Sequence, residues 1–122
     1  MATSVKYIII ILLALFIVIC ARSRNAVEHF YVADSGIAGQ GLFASESCKK
    51  NQRLFKALDL DHTIRTEVLK VNHCNHPNTY LVKEADGWWV YAKKDLAPGE
   101  ELSIDYWDTP DFIRKPDPTW TC

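Results

Sequence analysis

Two stretches decide the reading of this chain: Asn72-His73-Cys74-Asn75-His76-Pro77-Asn78, and Tyr91-Ala92-Lys93-Lys94-Asp95-Leu96-Ala97-Pro98-Gly99-Glu100-Glu101-Leu102-Ser103-Ile104-Asp105-Tyr106. In the first, six of seven side chains are polar or metal-capable, in a chain that is 48% hydrophobic. Asn amides supply donors and acceptors that can fix a ligand's edge or brace backbone, and Pro77 stiffens the turn. A zinc centre drawing on His73, Cys74 and His76, with Cys48 or His62, has the spacing of no common closed site, so no metal is expected there. In the second stretch, Ala97-Pro98-Gly99 turns the chain into a strand from Leu102 to Tyr106. Alternation places Leu102, Ile104 and Tyr106 on one face and Glu101, Ser103 and Asp105 on the other. Taken alone, that is a strand whose tyrosine packs in a core.

Upstream lies Gly36-Ile37-Ala38-Gly39-Gln40-Gly41-Leu42-Phe43-Ala44, with strands expected over His29 to Ala33 and Gly41 to Ser45. Glycines there give either a tight strand connection or a close backbone approach to a ligand. The stretch lacks the third glycine of a dinucleotide fingerprint and is not a phosphate loop. Arg53 to Ala57 reads as a strand. His62 to Val71 reads as a short helix, from Ile64, Val68 and Val71. Thr79 to Glu84 and Trp88 to Ala92 flank Asp86-Gly87, a hairpin signal. The tail from Trp107, rich in Pro, Asp and aromatics, reads as irregular. The expected class is therefore mainly β with little helix.

Length and charge narrow the function. The 122 residues carry 14 Lys plus Arg against 15 Asp plus Glu, but residues 1–24 hold Lys6, Arg22 and Arg24 and no acid. The remaining 98 residues thus have eleven bases against fifteen acids. Direct nucleic-acid binding, which needs a clustered cationic face, is not expected; a basic peptide suits the balance better. Tyr7 to Ala21 is uncharged and apolar or weakly polar. As a helix it spans roughly 22 Å, against a hydrocarbon core of about 30 Å. Residues 1–24 are read as a membrane anchor or signal segment, with a hydrophobic helix contacting the membrane through residues 7–21. The localisation expected is single-pass membrane, or the secretory pathway if the segment is cleaved. Residues 25–122 form the domain, whose three cysteines, Cys48, Cys74 and Cys122, make a complete disulfide framework unexpected.

The order and spacing of the three motifs resemble the SET-domain family of protein lysine methyltransferases. Asn72 to Asn78 corresponds to the family's N-H-S-C-x-P-N motif, and Tyr91 to Tyr106 to its A-x-x-D-I-x-x-G-E-E-L-x-x-D-Y stretch. The resemblance covers roughly residues 29–122. It implies a β-clip of small twisted sheets with a knot-like crossing, in which the segment bearing Asn72 and His73 passes the terminal one. It also implies S-adenosyl-L-methionine as cofactor and a protein or peptide lysine as substrate, entering from opposite sides. By this resemblance Gly39, Gly41, Leu42, Asn72 and His73 belong to the cofactor site, and Tyr106 is the catalytic phenol.

The chain departs from the family pattern in three respects. The motif cysteine stands at position 74, where the family often has it one residue later, at the place of Asn75. The family's C-x-C-x4-C tail has only its first cysteine, Cys122, so the post-SET tail is truncated there, no closed zinc site is expected, and the aromatic lid over adenosine is expected to be missing. Only thirty residues separate Gly41 from Asn72. The alternative to an active methyltransferase is a catalytically weak SET-like protein-binding module or truncated remnant.

Overall fold

The computed structural model describes residues 29–122. The expected hydrophobic helix and the 1–24 segment lie outside these residues. Among the described residues, no helix is long and apolar enough to cross a membrane.

Among the described residues, seven short strands make three small sheets. β1 (Phe30–Asp34) and β2 (Gln40–Ala44) form an antiparallel hairpin. β3 (Arg53–Asp59), β5 (Thr79–Glu84) and β6 (Gly87–Ala92) form an antiparallel sheet in the order β3-β6-β5. β4 (Asn72–His73) pairs in parallel with β7 (Ser103–Ile104). Beyond these, Glu67–Lys70 and Tyr106–Asp108 form single 3-10 turns. The mainly β expectation holds for the described residues, and the parallel pair brings two segments thirty-one residues apart side by side.

Local chemistry accounts for the turns. Between β5 and β6 the chain reverses through Ala85 and Asp86, and Gly87 takes φ 143°, a conformation side-chain-bearing residues rarely adopt. A Cβ at Gly87 would also collide with the Leu58 carbonyl, so both backbone angle and space demand glycine. The 35–39 loop closes on itself through Ser35 N–H donating to the Gly39 carbonyl at 2.8 Å.

One apolar core unites the sheets. Phe30, Leu42, Phe55, Val71, Val90, Leu102 and Ile104 all belong to it, with Leu102, Val71 and Val90 fully enclosed. Truncating such a side chain to Ala costs about 2–5 kcal/mol. Buried polar groups at the β4–β7 join satisfy one another. The Asn78 amide donates to the Glu101 carbonyl at 2.7 Å and its Oδ1 accepts from Ser103 N–H at 2.8 Å, while Thr79 Oγ1 donates to the Ser103 carbonyl at 2.7 Å.

Two expectations need correction. The helix over His62 to Val71 shrinks to the turn Glu67–Lys70, because His62 takes φ 72° and Ile64 bridges Leu58 in strand-like fashion. Ser103 is buried along with Leu102 and Ile104, its hydroxyl and backbone bonded to Asn78 and Thr79. The strand ends at Ile104: Asp105 Oδ1 accepts from Trp107 N–H at 3.0 Å and starts the turn that carries Tyr106.

Candidate functional site

Two cavities meet at Tyr106. One, of about 290 Å³, is walled chiefly by Leu58, Val68, Leu81, Ile104, Phe112 and Ile113, with Thr109 and Arg114 as further polar members. The other, of about 400 Å³, is walled by Ile37, Ala38, Asn72, His73, Thr119, Trp120 and Thr121. Tyr106 is the residue they share.

The position of Tyr106 is fixed from three sides. Its hydroxyl donates to the Val71 carbonyl at 2.6 Å, its backbone N–H donates to His73 Nδ1 at 3.0 Å, and its ring lies 5.2 Å from the His73 ring. Because Nδ1 accepts, the imidazole proton sits on Nε2, which faces Asn75 Oδ1 at 3.0 Å. The carboxylate of Asp105 lies 3.7 Å from Nδ1. Burial pushes the Tyr106 phenol above its ordinary pKa, so at neutral pH it is an intact hydroxyl, able to donate and accept.

Asn72 ties the glycine loop to the parallel pair. Its Nδ2 lies 3.0 Å from Ser35 Oγ, from the carbonyls of Ala38 and Gln40, and from Glu101 Oε2. An NH₂ has two hydrogens for these four acceptors, so the amide is spent on bracing the loop. Ser35 Oγ in turn donates to Glu101 Oε2 at 2.6 Å and accepts the N–H groups of Ile37 and Ala38. Gly41 sits where a Cβ would strike the Glu101 carboxylate.

Of the sequence-derived candidates, the structure brings Asn72, His73 and Tyr106 to one cavity wall. Gly39, Gly41 and Leu42 lie in the strand and loop beside Asn72, but the loop residues lining the cavity are Ile37 and Ala38. The sequence reading passed over Ser35 and Glu101, whose side chains join the two motifs, and Thr119 to Thr121. Trp120 borders the cavity. Cys74, read as the displaced motif cysteine, and Cys122, read as the first cysteine of a truncated tail, are joined as a disulfide, and among the described residues Cys48 is free and buried. Among the described residues, no group of three or more His, Cys, Asp or Glu is placed to hold a metal ion.

Comparison with known proteins agrees with this geometry. The SET-domain family model matches residues 63–107, which contain β4 to β7, Asn72, His73 and Tyr106. Over that stretch, less than half of its length, the chain is similar to the SET-domain family. Among solved structures it is similar to a candidate histone methyltransferase of Plasmodium falciparum, at 21% identity and a TM-score of 0.49, over 64% of this chain and 92% of that one. No curated protein sequence matches it.

Proposed function

We propose that the chain is an S-adenosyl-L-methionine-dependent protein-lysine N-methyltransferase in which Tyr106 orients the accepting amine. The observation that carries this reading is that one partly buried phenol borders both an apolar cavity and a second cavity edged by Asn72, His73 and two threonines. We read the parallel pairing of β4 with β7 as the knot-like crossing of the SET fold.

The larger cavity falls within the size range of small-molecule sites. Asn72 Oδ1, which the brace leaves unused, supplies a polar edge, the His73 ring forms part of the wall, and the Trp120 indole offers a face on which a purine can stack. These residues fit the cofactor, whose sulfonium methyl is already activated for transfer. What this chain must do is align a neutral amine and keep water away. The apolar cavity disfavours an ammonium and so favours release of its proton before the amine reaches Tyr106. With its own proton committed to Val71, the Tyr106 oxygen presents lone pairs that can accept an amine N–H and aim the nitrogen lone pair. The substrate class is a lysine on a protein or peptide, and the acidic balance of residues 25–122 favours a basic segment over nucleic acid. Residues 7–21 are proposed to anchor the chain in a membrane, from their sequence alone.

Calorimetric titration of the chain with S-adenosyl-L-methionine, together with transfer of labelled methyl to a lysine-rich protein mixture, tests the reading. Saturable binding with label on lysine is expected. Binding without transfer would leave a cofactor-binding module, and neither from a folded protein would overturn the assignment.

A further inference from the structure

We propose that four lysines gathered at one end of the three-stranded sheet form a docking face for the anionic headgroup surface of a lipid bilayer; this rests on the reading of residues 7–21 as an anchor. Two segments far apart in sequence build the face. At one end of their join Cys48 and Leu96 exchange backbone bonds of 3.0 and 2.8 Å. At the other, Asn51 N–H donates to the Ala92 carbonyl at 2.8 Å and Ala92 N–H to the Gln52 carbonyl at 3.0 Å. Between these points lie Lys49 and Lys50 on one segment and Lys93, Lys94 and Asp95 on the other, all exposed. Four of the eleven bases of residues 25–122 thus stand together in a domain whose balance is acidic. The neighbouring acids do not cancel them. Asp95 accepts the backbone N–H of Lys50 at 2.8 Å, and Glu100 reaches Lys94 alone, at 3.6 Å. Lys49, Lys50 and Lys93 form no ion pair among the described residues.

Two further observations select a bilayer as the occupant. The first is where the chain enters the domain. The His29 carbonyl accepts from Ser45 N–H at 2.8 Å and its ring pairs with Glu46, so His29 is held beside the segment that carries Lys49 and Lys50. Residues 22–28, which include Arg22 and Arg24, separate it from the apolar run ending at Ala21. Fully extended, they reach at most about 25 Å. The end of the domain tethered nearest a bilayer that holds residues 7–21 is therefore the end with the lysines. The second observation is aromatic. The Tyr80 hydroxyl donates to Asn51 Oδ1 at 3.1 Å, and its ring stacks on that of Tyr91 at 5.7 Å; tyrosines beside basic residues suit the headgroup level, where a ring meets apolar groups and a hydroxyl meets water. Nucleic acid would meet the same lysines, but the acidic balance of the domain repels a polyanion that runs past them. Each lysine beside an anionic leaflet tightens binding about fivefold, so the three without ion pairs give about 10²-fold. The docked domain keeps its apolar cavity accessible. Leu58, on the wall of that cavity, stands five residues along β3 from Arg53, on the order of 15 Å further from the lysines.

The experiment uses the full chain with vesicles of phosphatidylcholine alone or of phosphatidylcholine mixed with phosphatidylserine. Flotation reads membrane attachment, and the rate at which an amine-reactive ester labels each lysine, followed by mass spectrometry, reads the face. The chain is expected to float with both vesicles. Lys49, Lys50 and Lys93 are expected to label about tenfold more slowly on the anionic vesicles, a difference that high salt removes. Lys83, toward the opposite end of β5, is expected to label alike on both. Lys49→Gln, Lys50→Gln and Lys93→Gln together, all at exposed positions, are expected to leave flotation with neutral vesicles unchanged and to make the remaining Lys94 label alike on both. Equal labelling of the three lysines on both vesicles would overturn the docking face while flotation upheld the anchor. Flotation with anionic vesicles alone, lost in the triple variant, would uphold the face and remove the anchor, and flotation with neither would overturn both. Protection of these lysines by duplex DNA but not by anionic vesicles would assign the face to nucleic acid and overturn the proposal.

Discussion

Replacing Tyr106 by Phe isolates the hydroxyl that both cavities share. The ring stays, with its packing against His73 and the core, and so does the backbone bond to His73 Nδ1. What is lost is the 2.6 Å bond to the Val71 carbonyl. A bond of this kind contributes about 1 kcal/mol net, which for a domain of this size lowers Tm by roughly 4–8 °C. The effect on transfer should be far larger, because the oxygen proposed to receive the amine is gone: turnover is expected to fall by something like 10²-fold or more, the scale of positioned proton-handling groups. Affinity for S-adenosyl-L-methionine should change little, since the ring still lines the wall. The assay is methyl transfer at saturating cofactor, paired with calorimetry and thermal melts of both proteins. Equal labelling by wild type and Tyr106→Phe would refute the role given to the phenol, and a loss of binding parallel to the loss of turnover would show that the variant had disturbed the cavity instead.

Asn72→Ala removes the brace between the glycine loop and Glu101, so a loss of about 1–3 kcal/mol in denaturant unfolding is expected, with weaker cofactor binding by calorimetry. Asn75→Ala leaves the His73 Nε2 proton without its protein acceptor. Its ring nitrogen NMR shifts should move and turnover should fall several-fold, with stability changed by under about 1 kcal/mol; unchanged nitrogen shifts would sever that link. Because burial raises the Tyr106 pKa, the folded state keeps this proton longer than the unfolded chain does. The resulting stability is complete below about pH 10 and is lost as pH rises through the higher folded value, so alkaline melts of Tyr106→Phe should fall less steeply than those of wild type. Cys48, buried and with a raised pKa, should resist iodoacetamide at pH 8 in the native chain and react on unfolding, as read by mass spectrometry.

Elements whose signals are local were legible in the sequence. The β5–β6 hairpin followed from Asp86-Gly87, and the β1–β2 hairpin from the glycines between two apolar runs, because glycine's backbone freedom acts within a few residues. The joining of the Asn72 and Tyr106 segments was reached only through family resemblance; nothing in either segment announces a two-residue parallel pair. The 62–71 stretch misled because Ile64, Val68 and Val71 have helical spacing, yet Ile64 bridges Leu58 and Val68 lines a cavity. Tyr106 was assigned to a strand face since alternation extends naturally through it, whereas the Asp105 side chain ends the strand one residue earlier. The Cys74–Cys122 bond and the Trp120 wall were illegible for a different reason: both depend on where the tail returns, and an aperiodic tail carries no local signal of its destination.

The pairing of Asn72–His73 with Ser103–Ile104 also shapes how the molecule comes into being. The whole β5–β6 hairpin lies in sequence between these partners, so hairpin formation is local and fast while the parallel join must wait for a long loop to close. Asn78 and Ser103 find their hydrogen-bond partners only at that closure, and the wall shared by Asn72, His73 and Tyr106 takes shape at the same moment. A chain that has collapsed and formed its hairpins therefore has no fraction of a site. A chain that stalls with its hairpins formed but this long loop still open lacks that wall altogether rather than having part of it.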